Sequence, residues 1–276
     1  MIKRITKKLL LKLGYSIKKI PAEGDFLVKL HELIGFPIDP NKYTFFKKGF
    51  NILRELKIKK NASFELRGSN FIITIDHLSF SLNTWEEILI LKEIFIEGIY
   101  NFTLPKRFSL IDIGMNVGMT SLFFANQPNC EAVFSYEPFK GTFEMATKNL
   151  SLNPCASKIK PNNFGLGYPA RKLLVDYNEE FKGSMGMNGM PEFIRNRLTS
   201  EKTEFQIEDV AFFITDHTEN YNDHWVAKID CEGAEYEIID RLDAQDLLNK
   251  ISVYIACIIW SISIHDRFEM SNNKFH

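Results

Sequence analysis

An apolar run that passes straight into a glycine turn lies near the middle of the chain. Phe108-Ser109-Leu110-Ile111 leads into Asp112-Ile113-Gly114. Past Asn116 and Gly118 the pattern turns apolar again at Ser121-Leu122-Phe123-Phe124-Ala125. A short apolar run, a glycine turn and a longer apolar segment predict a buried strand, a tight loop and a helix starting at or just after Gly118. Ala132–Tyr136 predicts a second strand, ending in Glu137-Pro138. Gly141–Leu152 predicts a helix, and Ile159–Phe164 a short third strand running into a small-residue loop at Gly165-Leu166-Gly167. Leu173–Val175 and Phe205–Ile214 read as further strands, with a polar loop from Asp216 through His217 to Asp223. Trp225–Asp230 is a buried strand whose turn, Cys231–Glu235, opens a helix near Ala234. Ile251–Ile259 is a very apolar strand that Trp260–His265 continues. Strands alternating with helices predict an α/β fold with a mostly parallel sheet flanked by helices, of Rossmann-like type.

The region ahead of this core has other periods. In residues 1–20, Ile2, Ile5, Leu9 and Leu13 recur at helical spacing, with bases mostly on the other face. Pro21–Asp25 breaks that helix. Phe26–Gly35 and Tyr43–Lys60 read as short helices. Ser63–Leu82 alternates with period two around Gly68-Ser69-Asn70 and reads as a hairpin or meander. Asn83-Thr84 caps a helix reaching about Gly98, with Glu86 and Glu87 in its first turn. The expected division is 1–104 as an N-terminal extension and 105–276 as the core domain.

Composition adjusts this picture in a few places. At 276 residues and 45% apolar content, the chain has enough material for one sizeable core. A net charge of −1 gives no electrostatic signature of nucleic-acid binding. The charge is uneven, however. Residues 1–20 hold seven bases and no acid, which leaves −8 on the rest. Two readings stand for this segment: a helix docked on the body or solvated, and a helix lying on an anionic membrane surface. Cys130, Cys155, Cys231 and Cys257 form no C-x-x-C pair, so free thiols in a reducing, cytoplasmic setting are expected and no metal site is. The early apolar runs are short and interrupted by lysine, unlike a signal peptide, and no stretch has the length and apolarity of a membrane span.

The chemistry concentrates at the predicted strand ends. A strand–glycine loop–helix unit cradles nucleotides, because glycine lets a ligand approach the backbone and the helix start has free N–H groups. The spacing here, D-x-G-x-x-x-G, places Asp112, Gly114, Asn116 and Gly118 in the loop and lacks the third glycine of the dinucleotide fingerprint. Glu137 falls at the tip of the second strand, where an acid takes up a ribose diol. Lys228, Asp230 and Glu232 cluster at the end of a later strand. Three charges in an otherwise apolar strand–turn are costly to bury unpaired, which favours a site. In a parallel sheet they are expected beside the glycine loop.

DIGMNVGMTSLFFA, FSYEPF, the Asn149–Asn153 segment and KIDCEGAEYEIID at Lys228–Asp240 together resemble the FkbM family of S-adenosylmethionine-dependent methyltransferases, over about Glu93 to His265. The resemblance implies a class I methyltransferase fold and S-adenosyl-L-methionine as cofactor. It implies Asp112, Gly114, Asn116, Gly118, Glu137 and Asn163 as cofactor contacts, with Asn162 the adjacent alternative to Asn163. It also implies that Glu97-Gly98-Ile99-Tyr100 closes the pocket, against a simple packing role for that stretch. The family would continue past this strand with a helix and a hairpin. Only eleven residues follow His265, so the C-terminal end is expected to be abbreviated.

Methyl transfer from a sulfonium needs alignment, exclusion of water and, for a hydroxyl acceptor, removal of a proton. Lys228, Asp230 and Glu232 are the candidates for catalysis or acceptor orientation. His217 and His224 have the right chemistry but no supporting spacing. The methionine-rich stretch Gly183–Met190 reads either as an acceptor lid or as a surface insertion. The expected activity is O-methylation of a sugar, glycan or secondary-metabolite hydroxyl. Two rivals stand beside it: a non-catalytic cofactor-binding protein, and an NAD(P)-dependent oxidoreductase, against which the missing third glycine argues.

Overall fold

In the computed structural model, residues 23–39, 44–102, 104, 107–177, 201–220, 224–231 and 233–256 are described. The basic segment 1–20, the loop 183–190, Glu232, Cys257 and His265 lie outside them.

The sheet is built from five parallel strands: β4 (Phe108–Ile113), β5 (Cys130–Tyr136), β6 (Ile159–Asn162), β10 (His224–Ile229) and β11 (Val253–Ala256). Their order is β11-β10-β4-β5-β6. The chain therefore starts in the middle, builds outward to one side, and returns to build outward on the other. The reversal falls between β4 and β10, and the carboxyl ends of these strands form the crevice where such sheets bind ligands. Helices α4 (Met119–Ala125) and α5 (Lys140–Ser151) connect the first half, and α7 (Glu235–Ala244) follows β10. β4 is buried along its whole length, as a central strand covered on both faces must be.

A second, three-stranded sheet sits beside this one: β7 (Gly165–Gly167), β8 (Arg171–Tyr177) and β9 (Glu201–Asp209), ordered β7-β9-β8. The sequence reading differs here in two places. Gly165–Gly167 is a short strand paired with β9 rather than a loop. The run Phe205–Ile214 is not one strand: it ends at Asp209, and Val210–Asn220 is helix α6. The cause is local. The Asp209 carboxylate accepts the Ala211 amide at 3.0 Å and caps the helix start. Both halves are apolar enough that composition alone does not mark the change.

Ahead of the core come α1 (Glu23–Ile34), α2 (Phe46–Lys60) and an antiparallel sheet of β1 (Ser63–Arg67), β2 (Asn70–Ile75) and β3 (Leu78–Leu82). Helix α3 (Trp85–Leu91) runs into a π-helical turn, Lys92–Glu97, that ends at Gly98 with φ +65°. Glu87 Oε2 accepts the Asn83 and Thr84 amides, as the capping pattern predicts. One apolar cluster runs from Leu30, Phe46 and Leu53 through Phe71, Phe80 and Phe95 to Phe108, Phe124, Leu150 and Val226. It crosses the 104/105 boundary, so extension and sheet share a core. A second cluster, with Ile113, Tyr136, Val210, Trp225 and Ile238, fills the other face.

Candidate active site

Parallel pairing places Lys228 beside Asp112, and Asp112 beside Ser135, on three neighbouring strands. Lys228 is 3% exposed and Asp112 fully buried. Lys228 Nζ lies 3.0 Å from Asp112 Oδ1 and 3.6 Å from Asp230 Oδ2, and donates to the Gly114 carbonyl at 2.6 Å. The contact with Asp112 Oδ1 is an ion pair without the alignment of a hydrogen bond. Asp112 Oδ2 accepts from Ser121 on α4, and Ser121 Oγ contacts Ser135 Oγ at 2.8 Å. Burial works against the Lys228 charge, but Asp112 and Asp230 outweigh it and hold the ammonium well above its ordinary pKa. Lys228 therefore stays protonated and cannot act as a base. Asp112 is thus buried at the end of β4, held between Lys228 and Ser121.

The loop itself needs unusual backbone. Gly114, Asn116 and Gly118 have φ of +86°, +51° and +79°. A Cβ on Gly114 would stand 1.9 Å from the Asp230 carbonyl, so β4 and β10 close on each other only because this residue is glycine. The Gly114 and Met115 amides donate to the Tyr136 carbonyl at 3.0 and 2.9 Å, which holds the loop against the end of β5.

Glu137 sits at that end, 5% exposed. Its Oε2 accepts the Asn116 amide at 2.9 Å and its Oε1 the Phe139 amide at 3.0 Å. Each oxygen keeps a lone pair for a further donor. Burial pushes this carboxyl up to about 7, against the pull of the two amides. Asn163 follows β6 and donates to the Glu137 carbonyl at 2.9 Å, bracing the turn. Asn162 instead bonds the Ser135 and Lys160 carbonyls. Of the Lys228–Glu232 group, Asp230 has a partly open carboxylate, with its side chain 34% exposed. Glu235 closes the following turn, accepting the Cys231 and Gly233 amides.

Other expectations resolve simply. Tyr100 is buried against Phe124 and Phe123, at ring distances of 5.3 and 6.1 Å, while Ile99 is exposed. His217 is no loop residue: it is buried on α6, with Nε2 2.6 Å from the Tyr136 hydroxyl and its ring 4.0 Å from Phe134. His224 is exposed at the start of β10, away from the strand ends that form the crevice. Sequence reasoning passed over Tyr136, whose side chain ties β5 to α6, and the roles of Asn149 and Asn153. The four-residue spacing of those asparagines around the helix end, beside buried Ala146 and Leu150, was the available signal. Among the described residues, no group of three His, Cys, Asp or Glu could hold a metal ion, and no helix is long and apolar enough to cross a membrane.

The strand order and this crevice define a Rossmann-like α/β fold. No family model matches the chain. It is similar to Methyltransferase sdnD of Sordaria araneosa, at 24% identity over 63% of this chain and 76% of the relative. It is also similar to Methyltransferase 1 of Beauveria bassiana, at 26% identity over 59% and 70% respectively. Both relatives are named methyltransferases. Among solved structures, FkbM from Methylobacillus flagellatus KT aligns at 14% identity and TM-score 0.35, over 58% of this chain and 34% of that one. The METTL16 methyltransferase domain aligns at 16% identity and TM-score 0.39, over 80% and 68%. At these scores the solved structures add nothing to the fold assignment, which rests on the strand order. The chain spans about a third of the FkbM protein it aligns with.

Proposed function

We propose that this chain is an S-adenosyl-L-methionine-dependent methyltransferase, acting on a hydroxyl of a small molecule or glycan. The observation that supports it best is the convergence at the switch point of Gly114, Asn116 and Gly118 with the Glu137 carboxylate. The residues fit the cofactor. Glu137 has lone pairs for the two hydroxyl donors of a ribose. Asn116 Oδ1 is buried without a hydrogen-bond partner among the described residues and suits a donor on the ligand.

The bound cofactor supplies a methyl group on a sulfonium, whose leaving group is a neutral thioether. The chain's own work is to fix the loop through Lys228, Asp112 and Ser121, to exclude water, and to position the acceptor oxygen. A hydroxyl acceptor would have to give up its proton on methylation. Asp230, whose carboxylate is partly open at the crevice, is the candidate to accept it. Lys228 is a positioning group in this scheme. Glu232 keeps its candidacy as a second acid. The names of the two fungal relatives agree with methyl transfer but do not fix the acceptor. Peripheral membrane contact through residues 1–20 is a separate proposal, and loss of vesicle co-sedimentation on deleting them is its test.

Calorimetric titration with S-adenosylhomocysteine tests the cofactor reading. Micromolar binding, weakened at least about tenfold by Glu137→Ala (about 1.4 kcal/mol), is the expected result. A folded protein that ignores this ligand but binds a nicotinamide dinucleotide would overturn it. Given binding, turnover of tritiated donor on a hydroxyl panel tests the acceptor class.

A further inference from the structure

Strand β3 lies at the edge of the N-terminal sheet, and its outward backbone groups are met by side chains of the core rather than by another strand. Asn153 Oδ1 accepts the Ser79 amide at 2.8 Å, and Asn153 Nδ2 donates to the Ser79 carbonyl at 2.8 Å. One helical turn back on α5, Asn149 Oδ1 accepts the Ser81 amide at 2.8 Å. Its Nδ2 does something different: it donates to the Val117 carbonyl at 2.9 Å. Asn149 is 2% exposed and Val117 1% exposed, so neither bond is replaced by water.

Val117 stands between Asn116 and Gly118, two of the three left-handed residues of the glycine loop. On the far side of the same peptide, the Gly118 amide donates to the Met115 carbonyl at 3.0 Å. The Val117–Gly118 peptide is therefore held at both ends, by the loop itself and by Asn149. A loop with three residues at positive φ has other backbone states available to it. The one used here presents the Asn116 amide to Glu137.

We propose that Asn149 is a positioning residue for the cofactor loop. Through one amide side chain it makes the loop's conformation depend on the docking of β3, and hence on the N-terminal extension. Asn153 docks the same strand and makes no hydrogen bond to the loop among the described residues; its Nδ2 also donates to the Asn149 backbone carbonyl at 2.8 Å but not to the Asn149 side chain, so the two side chains separate docking from positioning. The proposal rests on the cofactor reading for its consequence, but its geometry stands without it.

Asn149→Ala and Asn153→Ala form the test, each read by thermal melting, S-adenosylhomocysteine titration at a temperature where the variant is fully folded, and hydrogen exchange of the apo protein. Both variants are expected to lower Tm. Only Asn149→Ala is expected to weaken binding, by at least about tenfold, and to speed exchange at Asn116–Gly118. Equal binding loss in the two variants, or unchanged loop exchange in Asn149→Ala, overturns the proposal. If Asn149→Ala does not fold, the wild type decides. Coupling is reciprocal, so bound ligand is expected to protect the Ser81 amide more than the Ser79 amide. Equal protection of the two would overturn the proposal. A wild type that binds no S-adenosylhomocysteine sinks the cofactor reading and leaves the apo exchange comparison to judge Asn149.

Discussion

Glu137 is a buried carboxylate whose ordinary pKa near 4.5 is pushed up to about 7 by desolvation. The fold therefore favours its neutral form. This group's contribution to stability is complete below about pH 4.5 and is lost as pH rises through 7, with a slope of up to about 1.4 kcal/mol per pH unit. A ribose diol donates more strongly to the carboxylate than to the neutral acid, so ligand binding has the opposite slope. We expect S-adenosylhomocysteine affinity to climb between about pH 6 and pH 8 (about one pH unit either side of that pKa) and then level off. Glu137→Gln should bind weakly with no such climb, and titrations at five or six pH values would show it; parallel profiles would refute the assignment. The Lys228–Asp112 pair makes a second prediction. Lys228→Met leaves Asp112 charged with no cation, at a cost of about 3–5 kcal/mol. Combining it with Asp112→Asn should restore much of that stability in urea melts, and additive losses would mean that the ion pair is not what Lys228 serves. The loop glycines, Glu137 and the KIDCEG turn were legible from type and spacing. The roles of Asp112 and Lys228 were not, because which strands pair, and in what register, decides whether two distant charges meet.

Elements spell themselves out in this chain when one pattern covers each of them. β4, the glycine loop and α4 do so, as does the β1–β3 meander with its alternating Phe64–Leu82 pattern. The β9–α6 junction does not, since Phe205, Ile207, Val210, Ala211 and Ile214 are all buried. The switch is made by Asp209, which caps α6 and pairs with Arg241 of α7 through Oδ2 at 2.6 Å. The hydrogen bond from Arg241 is the chief cause of its depressed pKa. A depressed carboxylate contributes stability above its ordinary range and loses it as pH falls. Asp209→Ala removes cap and partner together. We expect a loss of about 1–3 kcal/mol at pH 7 that shrinks below pH 4. S-adenosylhomocysteine affinity should stay within twofold, because α6 lies on the second core face, away from the loop. A binding loss would instead tie α6 to the crevice, which its contact with Tyr136 makes the alternative worth measuring.

For the whole molecule, the question is whether 1–104 and 105–276 behave as two units. The sequence divides there by topology, since the antiparallel meander ends and the parallel βαβ pattern begins. The apolar contacts do not divide. Phe80 packs on Phe95, Phe95 on Phe123, and Phe123 and Phe124 on Tyr100, in one chain of rings from the N-terminal sheet to α4. The edge of β3 is met by Asn149 and Asn153 rather than by water. Cutting at the boundary would expose this seam and leave two buried asparagine oxygens, Oδ1 of Asn149 and of Asn153, without their β3 partners, each worth about 1–3 kcal/mol. Seams of that kind unfold with the bodies they join. We therefore expect residues 23–256 to melt in a single calorimetric transition whose van't Hoff and calorimetric enthalpies agree. Residues 105–276 alone should show no cooperative melt. Two separate transitions, or a 105–276 fragment that melts sharply and binds S-adenosylhomocysteine, would show that the extension is a detachable cover, and would take with it the dependence of the cofactor loop on β3.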